Sequence, residues 1–156
     1  MTGENLMKAA VLEAPGGAFR VGPVARPQAE AGQALVRIKA SGVNPLDTKI
    51  RAGQAAHARQ PLPAILGIDL AGVVEAVGYG VTGFRRGDEV YGMTGGVAGL
   101  QGSLAECAAV DARLLARKPA NLGWREVAAW VCLRSPANSH RLPSVRHRAS
   151  SVPIQP

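Results

Sequence analysis

The chain has 156 residues, which is enough for one domain or for one domain with a short appendage. Its hydrophobic content of 47% suits a globular core, aromatic residues are only 4%, and no apolar run is long enough to cross a membrane. The net charge of +7 does not indicate specific nucleic-acid binding, because residues 131–156 supply +4 of it from arginines with no aromatic residue among them.

The first part of the chain is predicted to form short strands. Met7–Leu12 and Phe19–Val21 lie on either side of a Gly16–Gly17 turn, a pattern that is typical of a β-hairpin. Pro23–Gly32 is predicted to be a loop. In Leu35–Lys39 apolar and charged side chains alternate, which predicts a strand that is buried on one face only.

A short helix is predicted over Pro45–Arg51. Asn44 has the side chain that a helix N-cap prefers, and proline is favoured at the first helical position. Gly53 is a natural stop for this helix, and the polar segment Gln54–Pro63 that follows is predicted to be irregular.

The strand pattern continues in the second part of the chain. Further strands are predicted at Leu70–Val77, Asp88–Tyr91, Leu104–Val110 and Leu114–Arg117. Gly72 lies inside the first of them, which predicts a bulge or the close approach of another backbone. The glycine-rich segment 92–102 is predicted to be a flexible loop, and a helix capped by Asn121 is predicted to run to Trp130. Many short strands with glycine turns indicate a mainly β fold, namely a partly open barrel with short helices.

One glycine motif has the letters of a dinucleotide-binding fingerprint. Gly78, Gly80 and Gly83 follow a strand with the required spacing, but the fingerprint works only where a helix N-terminus meets the pyrophosphate. Gly87 and the strand pattern of Glu89–Tyr91 leave no room for that helix. We therefore predict a plain turn here, with cofactor binding as the alternative.

The composition changes after residue 130. Residues 131–156 contain five serines, four prolines and four arginines, with no glycine, no acidic residue and no hydrophobic periodicity. Such a composition predicts a disordered basic tail.

Six short segments carry a family resemblance, and they follow one another in a fixed order. They are Met7–Val11, Gly42–Asp47, Gly67–Gly72, Gly87–Gly92, Gly102–Glu106 and Lys118–Leu122. Together they resemble the medium-chain dehydrogenase/reductases over residues 7–129, and their zinc-independent quinone-oxidoreductase branch fits best. The resemblance implies a GroES-like domain over residues 7–129, normally followed by a separate Rossmann nucleotide-binding domain.

The resemblance also bears on metal and cofactor. The zinc branch of the family has a cysteine at the position of Asn44 and a histidine at the position of Ile68, and zinc favours thiolate and imidazole over a carboxamide. No metal site is therefore expected. The family implies NADPH as cofactor, but no Rossmann pattern is found in this chain. We expect a truncated form that is inactive alone, with a disrupted reading frame near residues 129–131 or a genuine tail as the two explanations.

The candidate site residues have structural as well as functional interpretations. Asn44 and Asp47 are three residues apart on one helix face, which suits simple capping; by resemblance they lie at the nicotinamide pocket and hold or protonate the acceptor. Asp69 either forms a polar wall near the substrate or orders its own loop. Lys49 stands where the family often has an aromatic residue at the substrate pocket, and Arg51 either faces a cofactor phosphate or is an ordinary surface arginine.

The resemblance implies NADPH-dependent reduction of a quinone or an activated alkene such as an enone. The alternative is a non-catalytic β-barrel that acts as a binding or assembly module. A cytoplasmic location is expected, because no charged-then-apolar leader is found and Cys107 and Cys132 suggest no disulfide framework. The expected partner is the small-molecule acceptor, with no membrane, and a homo-oligomer is left open.

Overall fold

The structure is a computed structural model that describes residues 5–131, and the predicted tail lies outside the described residues except for Val131. The strands are β1 (Leu6–Leu12), β2 (Phe19–Ala25), β3 (Gln33–Ser41), β4 (Ala64–Ile65), β5 (Asp69–Val77), β6 (Glu89–Met93), β7 (Cys107–Asp111) and β8 (Leu115–Arg117). The helices are α1 (Pro45–Arg51) and α2 (Trp124–Trp130), with a 3-10 turn at Ala112–Leu114. In these described residues, neither α-helix is long and apolar enough to cross a membrane.

The strands form two antiparallel sheets. One has three strands in the order β2-β1-β4, and the other has five in the order β7-β3-β5-β6-β8. A bridge between Ala9 and Ala105 joins them locally, and the Ala10 N–H donates to the Leu104 carbonyl oxygen at 2.8 Å. The predicted mainly β, GroES-like fold with short helices is confirmed, with two open sheets that do not close into a barrel.

The hairpin of β1 and β2 packs over one end of the larger sheet. As predicted, Ala34 and Val36 of β3 are buried and Arg37 is exposed. Leu35, however, does not follow the alternation, because it packs with Met7 and with other residues of a separate small core. That core lies between the two sheets, so β3 is buried on both faces where the hairpin crosses it.

Several predicted boundaries are wrong. β2 continues through Pro23, predicted as a loop residue, because β2 is an edge strand where a missing N–H is tolerated. β6 runs to Met93, into the segment predicted as a loop, and the strand predicted from Leu104 begins at Cys107. The second helix begins at Trp124, and Asn121 is not its cap, since a turn from Pro119 to Leu122 precedes it and the Glu126 carboxylate accepts the Gly123 N–H at 2.7 Å.

The predicted turn at Gly78–Gly83 is confirmed. β5 ends at Val77, the Val81 N–H donates to the Gly78 carbonyl oxygen at 3.3 Å, and no helix follows before β6 begins. A Cβ on Gly78 would run into the carbonyl group of Glu30, whereas one on Gly83 would meet nothing within 4 Å. The glycines of this motif therefore serve chain packing and turn formation.

Gly72 brings two strands unusually close together. A Cβ at this position would run into the Arg37 carbonyl oxygen and lie 2.8 Å from Val36 Cγ1. The register of β3 against β5 also shifts between Ile38 and Ala40, next to the residue that pairs with Gly72. Of the two alternatives predicted for Gly72, the close approach is confirmed, and the register shift lies in the opposite strand β3.

We expect Gly72→Ala to lower the free energy of unfolding by about 1–3 kcal/mol, because the added methyl group must displace strand backbone. Gly83→Ala is the matched control and should change it by less than about 0.5 kcal/mol. Urea unfolding of the two variants measures both values. Equal losses at the two positions would contradict the close-approach argument.

Candidate acceptor site

Asn44 organises the start of α1. Its side-chain oxygen accepts the Leu46 N–H at 3.0 Å, and its own backbone N–H donates to Asp47 Oδ2 at 2.9 Å. Pro45 occupies the first helical position. The predicted cap is therefore confirmed, in the reciprocal form in which the third helical residue returns a hydrogen bond to the cap.

The amide nitrogen of Asn44 does not take part in the cap and makes a separate hydrogen bond. Nδ2 donates to Asp69 Oδ2, at 3.3 Å, and Asp69 is the first residue of β5. One side chain thus links the helix N-terminus to the larger sheet. Sequence analysis brought Asn44 and Asp47 together by spacing, and the structure adds Asp69 from 25 residues away.

The two carboxyl groups lie in a poorly solvated environment. Asp69 is only 2% exposed and Asp47 is half-buried, and the Oδ1 atom of each is buried without a hydrogen-bond partner among the described residues. Burial raises the pKa of Asp47, and the N–H groups of Asn44 and Ile68 offset part of that rise. Burial also raises the pKa of Asp69; the Asn44 amide lowers it and the nearby Asp47 charge raises it.

A small cavity opens beside Asp47. Its volume is about 160 Å³ and its exposed lining is almost entirely apolar. The lining residues are Phe19, Gly42, Val43, Asp47, Thr48, Arg51, Leu66, Gly67 and Leu104. Neither Asn44 nor Asp69 is among them, so both side chains lie outside the cavity lining. A larger cleft of about 680 Å³ lies over the small sheet and contains none of the predicted site residues.

Arg51 and Lys49 are the two cationic side chains predicted for the site, and only one of them lines the cavity. The Arg51 guanidinium lines the cavity, donates to the Gly17 carbonyl oxygen at 2.8 Å, and lies 5.7 Å from the centroid of the Phe19 ring. Lys49 is exposed on the same helix and is not a lining residue. The geometry thus brings Arg51, and not Lys49, beside Asp47.

A buried polar group supports the Gly67 turn, and sequence analysis missed it. Ser103 is 1% exposed, lies 2.6 Å from Ser41 in an Oγ to Oγ contact, and donates its N–H to the Gly67 carbonyl oxygen. Thr94 Oγ1 donates to the same carbonyl oxygen at 2.9 Å. Gly67 has a φ of +104°. A Cβ added at this position would collide with Ser103 Oγ. Single serines and threonines form no recognisable sequence pattern, so these contacts can be seen only in the folded structure.

Helix α2 packs directly against the turn before α1. A Cβ on Gly42 would lie 2.6 Å from the Ala128 carbonyl oxygen and 2.9 Å from Asp69 Cβ. The Gly42 N–H also donates to the Asp69 carbonyl oxygen at 3.1 Å. The absence of a side chain at Gly42 thus lets α2, β5 and the site turn meet.

Residues 30–120 match the family model described as "Alcohol dehydrogenase GroES-like domain". The "NADPH-dependent alkenal/one oxidoreductase, chloroplastic" of Arabidopsis thaliana is 40% identical over 107 residues, which are 65% of this chain and 28% of that protein. The "Quinone oxidoreductase" of Lama guanicoe is 36% identical over 132 residues, which are 82% of this chain and 38% of that protein. The chain therefore spans well under half the length of these curated relatives.

The fold also matches solved structures. The crystal structure of an alcohol dehydrogenase superfamily protein from Novosphingobium aromaticivorans superposes with a TM-score of 0.76 at 63% identity. The match covers 78% of this chain and 37% of that chain.

We expect Asn44→Ala to lower the free energy of unfolding at pH 7 by about 2–4 kcal/mol. Loss of the cap costs about 1 kcal/mol, and loss of a donor to the buried Asp69 carboxyl costs about 1–3 kcal/mol more. Asn121→Ala is the control, because Asn121 is exposed and caps no helix. Urea unfolding gives both values, and a loss at position 44 no larger than at position 121 would contradict the linking role of Asn44.

Proposed function

Because the chain belongs to the family of alcohol dehydrogenase GroES-like domains, we propose that it supplies the acceptor-binding half of an NADPH-dependent reductase of quinones or activated alkenes. The observation that supports this most directly is the cavity beside Asp47, where an apolar wall and a single carboxyl group meet. A planar carbonyl compound needs such a site: apolar contact for its ring or alkene, and one polar group for its oxygen.

The names of the relatives support the substrate class. One relative is called an alkenal/one oxidoreductase and another a quinone oxidoreductase, and both substrate types have an alkene conjugated to a carbonyl group. Two-electron reduction leaves negative charge that ends on the carbonyl oxygen, so a proton donor at that oxygen completes the reaction. Asp47 lines the cavity and has a raised pKa, which makes it our candidate for that donor.

Two further side chains belong to the proposed site. Asn44 fixes the position of Asp47 through its backbone N–H and is itself a candidate ligand of the acceptor. Arg51 lines the same cavity and is the candidate contact for a cofactor phosphate. Lys49 is exposed and does not line the cavity, so its contact with the substrate stays a prediction. Asp69 was predicted as a substrate wall, and its burial outside the cavity lining favours an indirect role instead.

We propose NADPH as the cofactor, because the name of one relative includes it. Bound NADPH would supply the hydride that reduces the acceptor. Residues 5–131 do not fit a dinucleotide by themselves, since the one glycine motif with suitable spacing is a turn without a following helix. We therefore propose that the groups that hold the rest of the dinucleotide lie outside the described residues, with Arg51 as the one candidate phosphate contact within them.

We also propose that the reaction proceeds without zinc. Ile68, at the position of the family's histidine ligand, is 2% exposed and packs in an apolar cluster with Leu12 and Leu66. Asn44 offers an amide that is already engaged with Leu46 and Asp69. Neither side chain is a ligand that zinc prefers. A cytoplasmic location belongs to the same proposal, supported by the lack of a cysteine framework.

A domain graft tests the proposed function. Residues 5–131 of this chain replace the matching segment of the Arabidopsis alkenal/one oxidoreductase, whose remaining residues supply the rest of the enzyme. We expect the soluble graft to oxidise NADPH with a short enone or benzoquinone, and Asp47→Asn to lower kcat/KM by about 10²- to 10⁴-fold. The 156-residue chain alone should give no turnover above background.

The control for the graft is Asp111→Asn, because Asp111 caps the 3-10 turn after β7 and is not a lining residue of the cavity beside Asp47. Its kcat/KM should stay unchanged. A folded graft without activity, or an Asp47→Asn graft that is fully active, would contradict the proposal and favour a non-catalytic module.

A further inference from the structure

Asp69 has a chemical environment that capping and strand pairing do not explain. It is 2% exposed, accepts one side-chain hydrogen bond, and keeps Oδ1 buried without a partner among the described residues. Asp47 also has a buried Oδ1, although the N–H groups of Asn44 and Ile68 favour its charged form. A buried ionised carboxylate needs several donors or a countercharge, because low solvation penalises its charged form.

Asn44 holds the two carboxyl groups in one unit. Its backbone N–H donates to Asp47 at 2.9 Å and its side-chain amide donates to Asp69 at 3.3 Å. The two carboxyl groups interact electrostatically, since the charge of Asp47 raises the pKa of Asp69. Two like charges held close together by one residue disfavour ionisation of both groups.

Within residues 5–131, no lysine or arginine forms an ion pair with Asp47 or Asp69. Arg51 lines the cavity with Asp47, but its guanidinium donates to the Gly17 carbonyl oxygen and stacks near a ring. Lys49 is exposed on α1, and Arg125 and Glu126 are exposed on α2. Burial raises the pKa of Asp47 against the N–H groups of Asn44 and Ile68, whereas burial and the Asp47 charge raise the pKa of Asp69 against the Asn44 amide.

We infer that Asp47 and Asp69 titrate as one coupled pair held together by Asn44, and that the pair keeps a shared proton to higher pH than a single aspartate does, with Asp69 as a positioning residue that keeps Asp47 available as an acid. This inference deepens the proposed function, because it explains how a carboxyl group facing an acceptor retains a proton above the ordinary Asp range. It concerns the charge state of the pair, which exists in the chain whether or not an acceptor is reduced.

The test is a pH titration of the 156-residue chain, followed by the ¹³C resonances of the aspartate side-chain carboxyl groups. The pair should titrate in two coupled steps, the upper at least about one pH unit above the ordinary Asp value. Asp88 and Asp111 serve as internal controls, because backbone and arginine hydrogen bonds lower the pKa of each. In Asp69→Asn, Asp47 should titrate in one step at lower pH than the upper step of the wild type.

Two ordinary, independent titrations in the wild type would overturn the inference, and so would an Asp47 titration that Asp69→Asn leaves unchanged. The titration is repeated in choline chloride and in potassium chloride. If the upper titration step appears only in choline chloride, a bound potassium ion balances the second carboxylate charge, and the inference is overturned. If Asp69→Asn does not fold, Asp47→Asn gives the reciprocal measurement on Asp69. Activity of the graft is a separate result, so failure of the reductase proposal leaves this test intact.

Stability provides a second readout. Because the pKa of each aspartate is raised in the folded chain, the folded state binds more protons than the unfolded one between the ordinary Asp value and the raised value. The contribution of the pair to stability is therefore lost as pH rises through that window. The urea midpoint of Asp69→Asn, relative to wild type, should increase with pH across it. A constant difference would count against a shared proton.

Discussion

The bidirectional hydrogen bonding of Asn44 is the constraint on which the rest of the site depends. Its side-chain oxygen caps α1, while its amide nitrogen donates to the carboxyl group of Asp69 at the start of β5. A helix of seven residues has little stability of its own, so its position must come from contacts like these. The cavity beside Asp47 exists because α1 is fixed against the larger sheet at this point.

Close backbone packing makes that arrangement possible. Gly42 allows α2 to reach the site turn, Gly67 makes room for Ser103, and Gly72 lets β3 and β5 approach each other. At each of these positions a side chain would displace backbone or a buried hydroxyl group. The carbonyl oxygen of Gly67 in the buried turn accepts hydrogen bonds from Ser103 and Thr94. The two aspartates remain short of donors, which makes them the chemically distinctive part of the site.

Local signals explain which features could be predicted from the sequence. The α1 cap and its proline depend on neighbouring residues, and the hairpin depends on a turn between two apolar runs, so both were predicted correctly. Asn121 does not cap α2, because a turn precedes the helix and the helix begins only at Trp124. Residue helix propensities do not predict that turn. Leu35 broke the expected alternation because a second sheet covers it. The link from Asn44 to Asp69, and the serine pair beneath Gly67, join residues far apart in the chain and required the fold.

The proposed function requires that the cavity beside Asp47 receive a carbonyl group whose oxygen accepts a hydrogen bond from that side chain. The most direct measurement is the infrared C=O stretching frequency of ¹³C-labelled cyclohexanone bound to the chain, compared between wild type and Asp47→Ala. A protonated Asp47 in a poorly solvated cavity should lower that frequency in the wild type relative to the variant. Identical frequencies in the two proteins, with the ketone bound to both, would contradict the account.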